Sequence, residues 1–385
     1  MKYALIALFF TTSLMAIQAQ QAYLYKDSRV MGMGGTDIAI GAHSTSLFSN
    51  PASLARIKKR DGFVVDLLGL GIAATQNVQN FVDDVESASD DAQALEDVLQ
   101  KYKGDNFHVG IDNYSSISQH SDMFAWSIGF LAASDTNLMA HSNGTSNGDF
   151  IETASRVYAG AMLGVAKPFY TGVGRIDIGL GVKYITQKSF EGTVGVFDYV
   201  NENDFIDRYE KKASGMGGDF GITYHILNNK SWHLAVASSV MNIGLDLDDN
   251  YGHQPMTVNV GFAATTKISF LNRLVFAVDY IDVLGANKYR EYTTTDNGSS
   301  TEYIDYDAHD FMKNLRVGTR VTFVDNDSLF VDVAVGMYQS ALSTGLDVEI
   351  SAFKLSLSTY QEEVGISSET SNTDRRYMVQ LGIGW

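Results

Sequence analysis

Residue types able to do chemistry are present in this sequence, but their spacing is not that of an active site. The eight histidines are spread along the chain, at His43, His108, His120, His141, His225, His233, His253 and His309. A zinc site of the metalloprotease type needs two histidines four residues apart with a glutamate after the first, and no such pair occurs. Cysteine is absent, which excludes disulfides, thiolate ligands and thiol nucleophiles. The sequence therefore predicts no enzyme, no cofactor and no metal centre.

A short acidic run is the candidate for cation binding. Asp246, Asp248, Asp249 and Asn250 carry the oxygen ligands that Ca²⁺ prefers. The run lacks the glycine and the distal glutamate of a calcium-binding loop. We therefore favour a solvated loop, with a weak divalent-cation site as the open alternative.

A larger set of charges alternates with apolar residues from Asp177 onward. The set comprises Asp177, Lys183, Asp219, Asp279, Arg316, Arg320, Asp332, Asp347, Glu349 and Lys354. Alternation with period two is the pattern of a β-strand, and here one face of each strand is apolar. On a lipid-facing side each Lys or Arg would cost about 2–4 kcal/mol at the membrane midplane. The charges are therefore predicted to face the lumen of a barrel and to form salt bridges with a plug, with a substrate path as the alternative.

Fourteen segments carry the period-two pattern. They span residues 62–76, 106–117, 122–134, 155–168, 174–188, 214–227, 231–243, 256–268, 272–284, 313–324, 328–339, 341–350, 352–361 and 375–385. The links after even-numbered segments are short, and those after odd-numbered segments are long and polar, except near Ser340. A soluble β-sandwich alternates too, but it has no reason to obey this parity. The fold class predicted is all-β, a transmembrane antiparallel barrel of about 14 strands with both termini in the periplasm.

The last segment alternates up to the final residue of the chain. Its apolar face consists of Tyr377, Val379, Leu381, Ile383 and Trp385. This pattern resembles the C-terminal assembly signal of outer-membrane barrels, which ends in an aromatic residue. The resemblance implies insertion in the bacterial outer membrane, with outer-membrane lipid and the barrel-assembly machinery as partners.

One long link has helical rather than strand periodicity. Between Asn77 and Asp105, Phe81, Val85, Ala88, Ala92, Leu95 and Leu99 recur at helical spacing, and acidic residues fill the other face. We expect an acidic amphipathic helix over the outer mouth of the barrel. Covering the loop is its favoured role, and a ligand groove is the alternative.

The N-terminus has the composition of a secretory signal. Lys2 precedes an apolar core that runs to about Met15, and Ala19 is a plausible cleavage point. The predicted division is residues 1–19 as signal peptide, 20–61 as an N-terminal plug and 62–385 as the barrel. A formal net charge of −17 argues against nucleic acid, which requires clustered basic residues.

The segment before the first strand has a distinctive composition, RVMGMGGTDIAIGAHSTSLFSNPASLA. It resembles the N-terminal hatch of the FadL-like family of long-chain fatty-acid transporters at Arg29, Gly32, Gly34, Gly35, Ala39, Ala42, Ser44, Phe48, Asn50, Pro51, Ala52 and Leu54. The layout is most similar to a conjugal-transfer, TraF-like branch. Thr36 and Ser53 depart from the family pattern, as does the lack of an acidic residue near His43. A nucleotide-binding glycine loop is excluded, because Asp37 stands at the third glycine position and no strand precedes the cluster.

The resemblance implies a fourteen-stranded barrel plugged by this hatch, in agreement with the strand count. It implies a hatch that gates passage of a hydrophobic small-molecule ligand, with Arg29, Gly32, Gly34, Gly35, Phe48, Asn50, Pro51 and Ala52 as the gating residues. Passive uptake of small hydrophobic molecules is the predicted function. The alternative is a barrel that transports nothing and anchors a secretion, conjugation or surface assembly through an extracellular or periplasmic protein partner.

Overall fold

The computed structural model describes residues 18–19, 23–57, 63–121, 123–146, 148–172, 174–197, 210–228, 231–247, 254–268, 271–294, 301–307, 310–326, 328–364 and 373–385. Most of the predicted signal peptide lies outside the described residues. So do His253 and His309, and three members of the acidic run: Asp248, Asp249 and Asn250.

Fourteen antiparallel strands close into one barrel. They are β1 (Val64–Thr75), β2 (Asn106–His120), β3 (Ala125–His141), β4 (Phe150–Thr171), β5 (Gly174–Gly195), β6 (Glu210–Asn228), β7 (Trp232–Ile243), β8 (Thr257–Ile268), β9 (Leu271–Tyr280), β10 (Leu315–Asp325), β11 (Leu329–Tyr338), β12 (Ala341–Ile350), β13 (Phe353–Glu363) and β14 (Thr373–Gly384). Each strand pairs with its neighbours in sequence, and β14 pairs with β1. The predicted fold class is confirmed, and each predicted segment overlaps one strand.

The strands differ from the prediction mainly in length. The ladder between β3 and β4 continues to the pair His141 and Phe150, beyond the predicted end at residue 134. The sequence there is polar, with Asp135, Thr136 and Asn137 in succession. Backbone pairing continues after the apolar alternation has stopped, so the period-two pattern missed the outer ends of these strands.

The two faces of the wall have opposite character. On β5 the side chains of Leu180 and Val182 point outward and are 55% and 49% exposed, whereas Asp177 and Lys183 are buried inside. The C-terminal strand follows the same rule, with Tyr377, Val379, Leu381 and Trp385 exposed on the outer surface. The predicted sidedness of the alternation is therefore the sidedness that the barrel has.

The exceptional short link between β11 and β12 has a local cause. Gln339 and Ser340 form a two-residue hairpin turn and both have positive φ, of 46° and 70°. Two positive φ values are the requirement of the turn that best matches the twist of paired strands. This turn joins two strands on the side where the other links are long.

A cap formed by the β1–β2 loop covers part of the barrel on the long-loop side. It contains two helices, α2 (Val78–Ala88) and α3 (Ala92–Lys101), where the sequence had predicted one. The break occurs at Asp91, whose carboxylate accepts hydrogen bonds from the amides of Gln93 and Ala94 and starts α3. The predicted apolar face is buried against the strand ends, and Phe81 stacks on Phe107 with a centroid distance of 4.3 Å.

The N-terminal segment lies inside the barrel, and we call residues 23–57 the hatch. It contains the short helix α1 (Ser28–Gly32) and two 3₁₀ turns, Ser44–Phe48 and Pro51–Arg56. The remaining elements are a hairpin of Lys288–Thr294 with Thr301–Asp307, which pairs with Gln18–Ala19, and a single helical turn α4 (Phe311–Asn314). Within the described part of the chain, no helix has the length and apolarity to cross a bilayer.

The stacking of Phe81 predicts that the cap unfolds separately from the wall. Replacing Phe81 by Ala removes a side chain that is 2% exposed, which costs about 3–5 kcal/mol where the site cannot collapse. We expect proteolysis within residues 76–105 of F81A while its barrel keeps the heat-dependent gel mobility of the wild type. Substitution of the exposed Gln79 by Ala is the control, and equal protease resistance of F81A and Q79A would contradict this account.

Candidate functional site

One carboxylate of the wall holds the central turn of the hatch. Asp279 on β9 accepts hydrogen bonds from the backbone amides of Asp37 and Ile38, at 2.6 and 2.9 Å. The neighbouring strand presents Gly261, where a Cβ would lie only 2.8 Å from the Ile38 Cβ. The carboxyl group of Asp279 therefore binds the hatch backbone directly, and the absence of a side chain at Gly261 lets the hatch approach.

The predicted Asn-Pro turn is a second attachment point. Asn50 accepts a hydrogen bond from the amide of Ala52 at 3.0 Å and so caps the second 3₁₀ turn. Its side-chain amide donates to the Ile38 carbonyl at 2.8 Å and to Thr223 of the wall at 3.2 Å. Pro51 occupies the first position of that turn, where its missing amide is not needed. Asn50, Pro51 and Ala52 therefore fix the C-terminal part of the hatch to the wall.

The predicted glycines lie where the hatch backbone meets the opposite wall. A Cβ on Gly32 would lie 2.6 Å from the Cα of Gly345 on β12. Gly34 has φ +74° and lies against the backbone of β10 and β11, and Gly35 has φ +78° beside Tyr338. Glycine is needed here both for its left-handed conformation and for close approach. The described contacts assign these residues to packing, and gating by them stays a prediction.

An ion pair lies at the edge of α1. Arg29 binds Asp27 at 3.0 Å, and Thr45 donates to the same carboxylate at 2.6 Å. Burial alone would raise the pKa of Asp27, but Arg29, the nearby His43 and these hydrogen bonds outweigh burial and hold the pKa well below its usual range. The pair therefore remains ionised inside the barrel.

The predicted salt bridges between wall and plug require a correction. Among the predicted inward charges, Asp279 and Arg320 bind the hatch through its backbone, and Arg320 donates to the Arg29 carbonyl at 3.2 Å. Lys183 instead pairs with Asp219 inside the wall at 2.8 Å. A salt bridge does join hatch to wall, but it links Lys26 to Glu362, which were not predicted, at 2.7 Å.

Three cavities follow one edge of the hatch. The outer cavity, of about 110 Å³, lies between the hatch and the long-loop ends of β7 to β9. The lower cavity, of about 690 Å³, lies on the short-turn side and is lined by many charged groups, Arg56, Arg273, Arg320 and Lys354 among them. A third cavity of about 80 Å³ shares Asp27 with the outer cavity and Arg29 with the lower one. The Asp27–Arg29 pair thus stands between the two larger spaces.

The outer cavity has an apolar floor formed by the hatch. Its lining includes Leu24, Tyr25, Val30, Met31, Ile38 and Phe48 from the hatch, with Met241, Pro255 and Ile281 from the wall and loops. Phe48 stacks on Tyr25 at 4.9 Å and meets Tyr114 edge-on at the same distance. Of the eight predicted gating residues, Gly35 and Phe48 line this cavity and Arg29 lines the other two.

Sequence reasoning did not single out Tyr25, Met241, Gln254 or Asn287 as members of this site. Tyr25 precedes the hatch motif, and the others lie at or beyond strand ends. An alternating pattern indicates whether a side chain points into or out of the barrel, but not how far along the lumen it lies. These residues could therefore not be recognised as members of a site from the sequence. Among the described residues, no three His, Asp or Glu side chains are grouped to hold a metal ion. The cation alternative for the run at Asp246 stays open, because three of its residues lie outside the described ranges.

Comparison with known proteins identifies the fold. No protein-family model matches the sequence, and no curated protein sequence matches it either. Among solved structures, the deltaS2 mutant of TodX, a monoaromatic hydrocarbon channel, has a TM-score of 0.59 and 11% identity, covering 95% of this chain and 100% of that one. The toluene transporter TbuX of Ralstonia pickettii has a TM-score of 0.55 and 11% identity, covering 92% of this chain and 97% of that one. The toluene transporter TodX of Pseudomonas putida has a TM-score of 0.53 and 11% identity, covering 97% and 99%.

The class defined by this geometry is a fourteen-stranded barrel closed by an internal N-terminal hatch. The similar chains are covered over almost their whole length, so the likeness extends to the complete architecture. At this level of identity it establishes a shared fold. The FadL-like fold that the resemblance implied is supported at that level, whereas the likeness of the hatch itself and the TraF-like branch stay predictions.

Removing the acceptor oxygen of Asp279 should loosen the hatch locally. In Asp279→Leu the oxygen that accepts from both amides is lost, and the amides of Asp37 and Ile38 are left without this partner, at a cost of about 1–3 kcal/mol each. We expect faster hydrogen exchange at these two amides. Asp347→Leu is the matched control, because Asp347 is a buried inward carboxyl that bonds to Ser356 of the wall. Equal exchange in the two variants would show that Asp279 does not hold the turn.

Proposed function

We propose that this protein is an outer-membrane channel for passive uptake of small hydrophobic molecules. The observation that carries the proposal is the row of three cavities along one edge of the hatch, with an apolar cavity at the outer end. A channel for such molecules needs an apolar site that is reached from outside and a route around the plug. The similar solved chains named as a hydrocarbon channel and toluene transporters add support by analogy of fold.

The outer surface of the wall suits a bilayer. Exposed large apolar residues cover the strands, and a set of exposed aromatic residues marks the short-turn rim, namely Phe63, Tyr170, Trp232, Phe353 and Trp385. Aromatic girdles flank the apolar band of outer-membrane barrels, where their rings lie at the headgroup level. The rim therefore supports a periplasmic interface at the short turns, with the cap and long loops outside the cell.

Passage requires the hatch to move. The cavity between the two larger spaces is about 80 Å³ and is lined by the Asp27–Arg29 pair, so it does not form an open tube. Movement of α1 away from β13 would widen this point, because α1 carries Arg29 and lies beside that strand. No energy source is needed, since a solute diffuses down its own concentration gradient through each successive space.

A second candidate function is a barrel that anchors an assembly without transport. The observation that favours it is the number of direct bonds between hatch and wall, such as those of Asp279, Lys26 and Asn50. In such a protein the hatch would stay in place and close the lumen permanently. The two functions differ in whether immobilising the hatch changes the uptake of a solute.

A charge introduced on the outer face should destabilise the barrel if that face meets lipid. Leu180 is 55% exposed and lies near the middle of the apolar stretch of β5. Leu180→Lys should lower the free energy of unfolding in lipid vesicles by about 2–4 kcal/mol if it lies at the midplane. Urea titration of the heat-dependent gel shift measures this, with Leu180→Ala as reference. A Lys variant no less stable than the Ala variant would argue against a lipid-facing surface.

A disulfide between hatch and wall should block uptake. The Oγ atoms of Ser28 in α1 and Ser358 in β13 are 3.0 Å apart, and the chain has no native cysteine. In the S28C/S358C double variant, oxidation should lower uptake of labelled toluene into cells about tenfold or more, because α1 can no longer leave β13, and reduction should restore it.

The matched control joins two strands of the wall instead. Ser118 in β2 and Ser127 in β3 have Oγ atoms 2.8 Å apart, and a disulfide in S118C/S127C leaves the hatch free. Uptake should then be insensitive to oxidation. Unchanged uptake in the oxidised S28C/S358C variant, with the disulfide verified, would favour the anchoring function.

A further inference from the structure

The outer cavity contains side-chain amides beside its apolar floor. Asn242, Gln254 and Asn287 all line it, together with the aliphatic and aromatic residues of the hatch. Gln254 is 1% exposed and Asn287 is 6% exposed, so their amides are enclosed by the protein. Polar groups in such a place need partners, and the hydrogen bonds available determine what a ligand must supply.

The orientation of two of these amides is fixed by their neighbours. The Asn242 side-chain nitrogen donates to the carbonyl of Pro255 at 3.1 Å. The Asn287 side-chain nitrogen donates to the carboxylate of Asp282 at 2.9 Å. Both partners are oxygens that accept and cannot donate, so a flipped amide would lose its bond. The amide oxygens of Asn242 and Asn287 are therefore the atoms left without a described partner.

Gln254 differs in one respect, because its partner is a hydroxyl that can both donate and accept, so this bond does not by itself fix the orientation of the amide. In the orientation observed, the Gln254 nitrogen donates to the hydroxyl of Tyr158 at 3.3 Å, and within the described part of the chain its oxygen has no donor. None of these three amide oxygens is among the fully enclosed side-chain atoms that lack a partner, so each keeps some accessible surface. Three acceptors thus line the cavity without a partner among the described residues.

Three donors that line the cavity are already used: Lys183 binds Asp219 at 2.8 Å, Thr45 binds Asp27 at 2.6 Å, and Ser49 binds Asp37. The Tyr25 hydroxyl accepts from Gln380, and each side-chain amide has a second N–H, so the cavity offers donors as well as acceptors. A hydroxyl group can use both. An ammonium ligand is disfavoured, because Lys183 contributes a positive charge and Asp27 is already paired with Arg29.

The size of the cavity limits the apolar part of a ligand. Its volume is about 110 Å³, compared with the roughly 150 Å³ of an apolar cavity that accepts benzene. One six-membered ring with a small substituent fits with slight adjustment, whereas two fused rings or a long alkyl chain do not. The aromatic ring of Phe48 lies at the floor, where a flat ring can stack.

We propose that the outer cavity selects single-ring molecules that carry a hydroxyl donor, phenol being the simplest, over plain hydrocarbons of the same size. This inference rests on the proposed function, and it assigns the substrate class of that channel. The ring occupies the apolar floor, and the hydroxyl donates to the amide oxygen of Gln254 or of its two neighbours. A hydrocarbon ring in the same place would displace water from these oxygens and return no hydrogen bond.

Binding of phenol and of fluorobenzene separates the two possibilities, because the rings are similar in size and only phenol donates. Equilibrium dialysis of the full barrel in detergent, corrected with protein-free micelles, should give phenol a Kd about tenfold lower than that of fluorobenzene. In Gln254→Met, which keeps the length of the side chain, the phenol Kd should rise about fivefold or more and the fluorobenzene Kd should stay within about twofold.

Tyr158→Phe is the matched control. It removes the partner of the Gln254 nitrogen and keeps the Gln254 oxygen, so the preference for phenol should persist. The heat-dependent gel shift of each variant verifies folding. Equal affinity of the wild type for the two rings, or an unchanged preference in Gln254→Met, would overturn the proposed selectivity.

Failure of the proposed selectivity can be distinguished from failure of the proposed channel function. If fluorobenzene binds as well as phenol, while the hatch disulfide still blocks uptake, the channel stands and only its assigned substrate class is wrong. If neither ring binds and the disulfide has no effect on uptake, both proposals fail together.

Discussion

A segment without long regular secondary structure is enclosed by this barrel, and its peptide groups have little water to bind. Non-helical backbone at membrane depth persists only where protein or a water-filled cavity satisfies it. The wall meets this requirement with side chains from many strands: Asp279 accepts two hatch amides, and Arg175 and Arg320 donate to the carbonyls of Ala55 and Arg29. These inward polar residues are therefore partners for this one buried segment.

The contacts between hatch and wall also determine where the cavities lie. Glycines on both surfaces bring hatch and wall into backbone contact on the side of β10 to β12, as at Gly32 and Gly345. Glycines of β4 to β6 meet the hatch equally closely, as at Gly164, Gly179 and Gly221. Near β14 and β1, by contrast, the contact is made by an ion pair and long side chains, and the third cavity lies there. Close glycine contacts at β4 to β6 and at β10 to β12 therefore leave the region near β14 and β1 as the looser edge of the hatch. A barrel with glycine contacts all round would have no route past its plug.

The strands of the wall and much of the hatch could be predicted from the sequence, whereas few of the residues that line the cavities between them could. Alternation on β5 and the parity of loop lengths define strands and sidedness, because both are local properties of the chain. The division of the cap at Asp91 was not foreseen, since the apolar spacing continues through it and only the capping bonds mark the break. The ion pair of Lys26 and Glu362 joins residues that are 336 positions apart, and no local pattern encodes such a partner. The amides of the outer cavity were missed for the same reason.

The seam between β14 and β1 has a consequence for biogenesis. The two strands that complete the cylinder are the first and the last, and Trp385 exchanges hydrogen bonds with Val65 across nearly the whole length of the polypeptide. Contacts of such high sequence separation form late and slowly. The hatch precedes β1 in the chain. It must therefore lie against the inner face of the sheet before β14 pairs with β1, because otherwise barrel closure would exclude it from the lumen. A barrel that closed before the hatch had entered it would be an unplugged, leaky pore. Insertion of the hatch and pairing of β14 with β1 therefore have to be coupled.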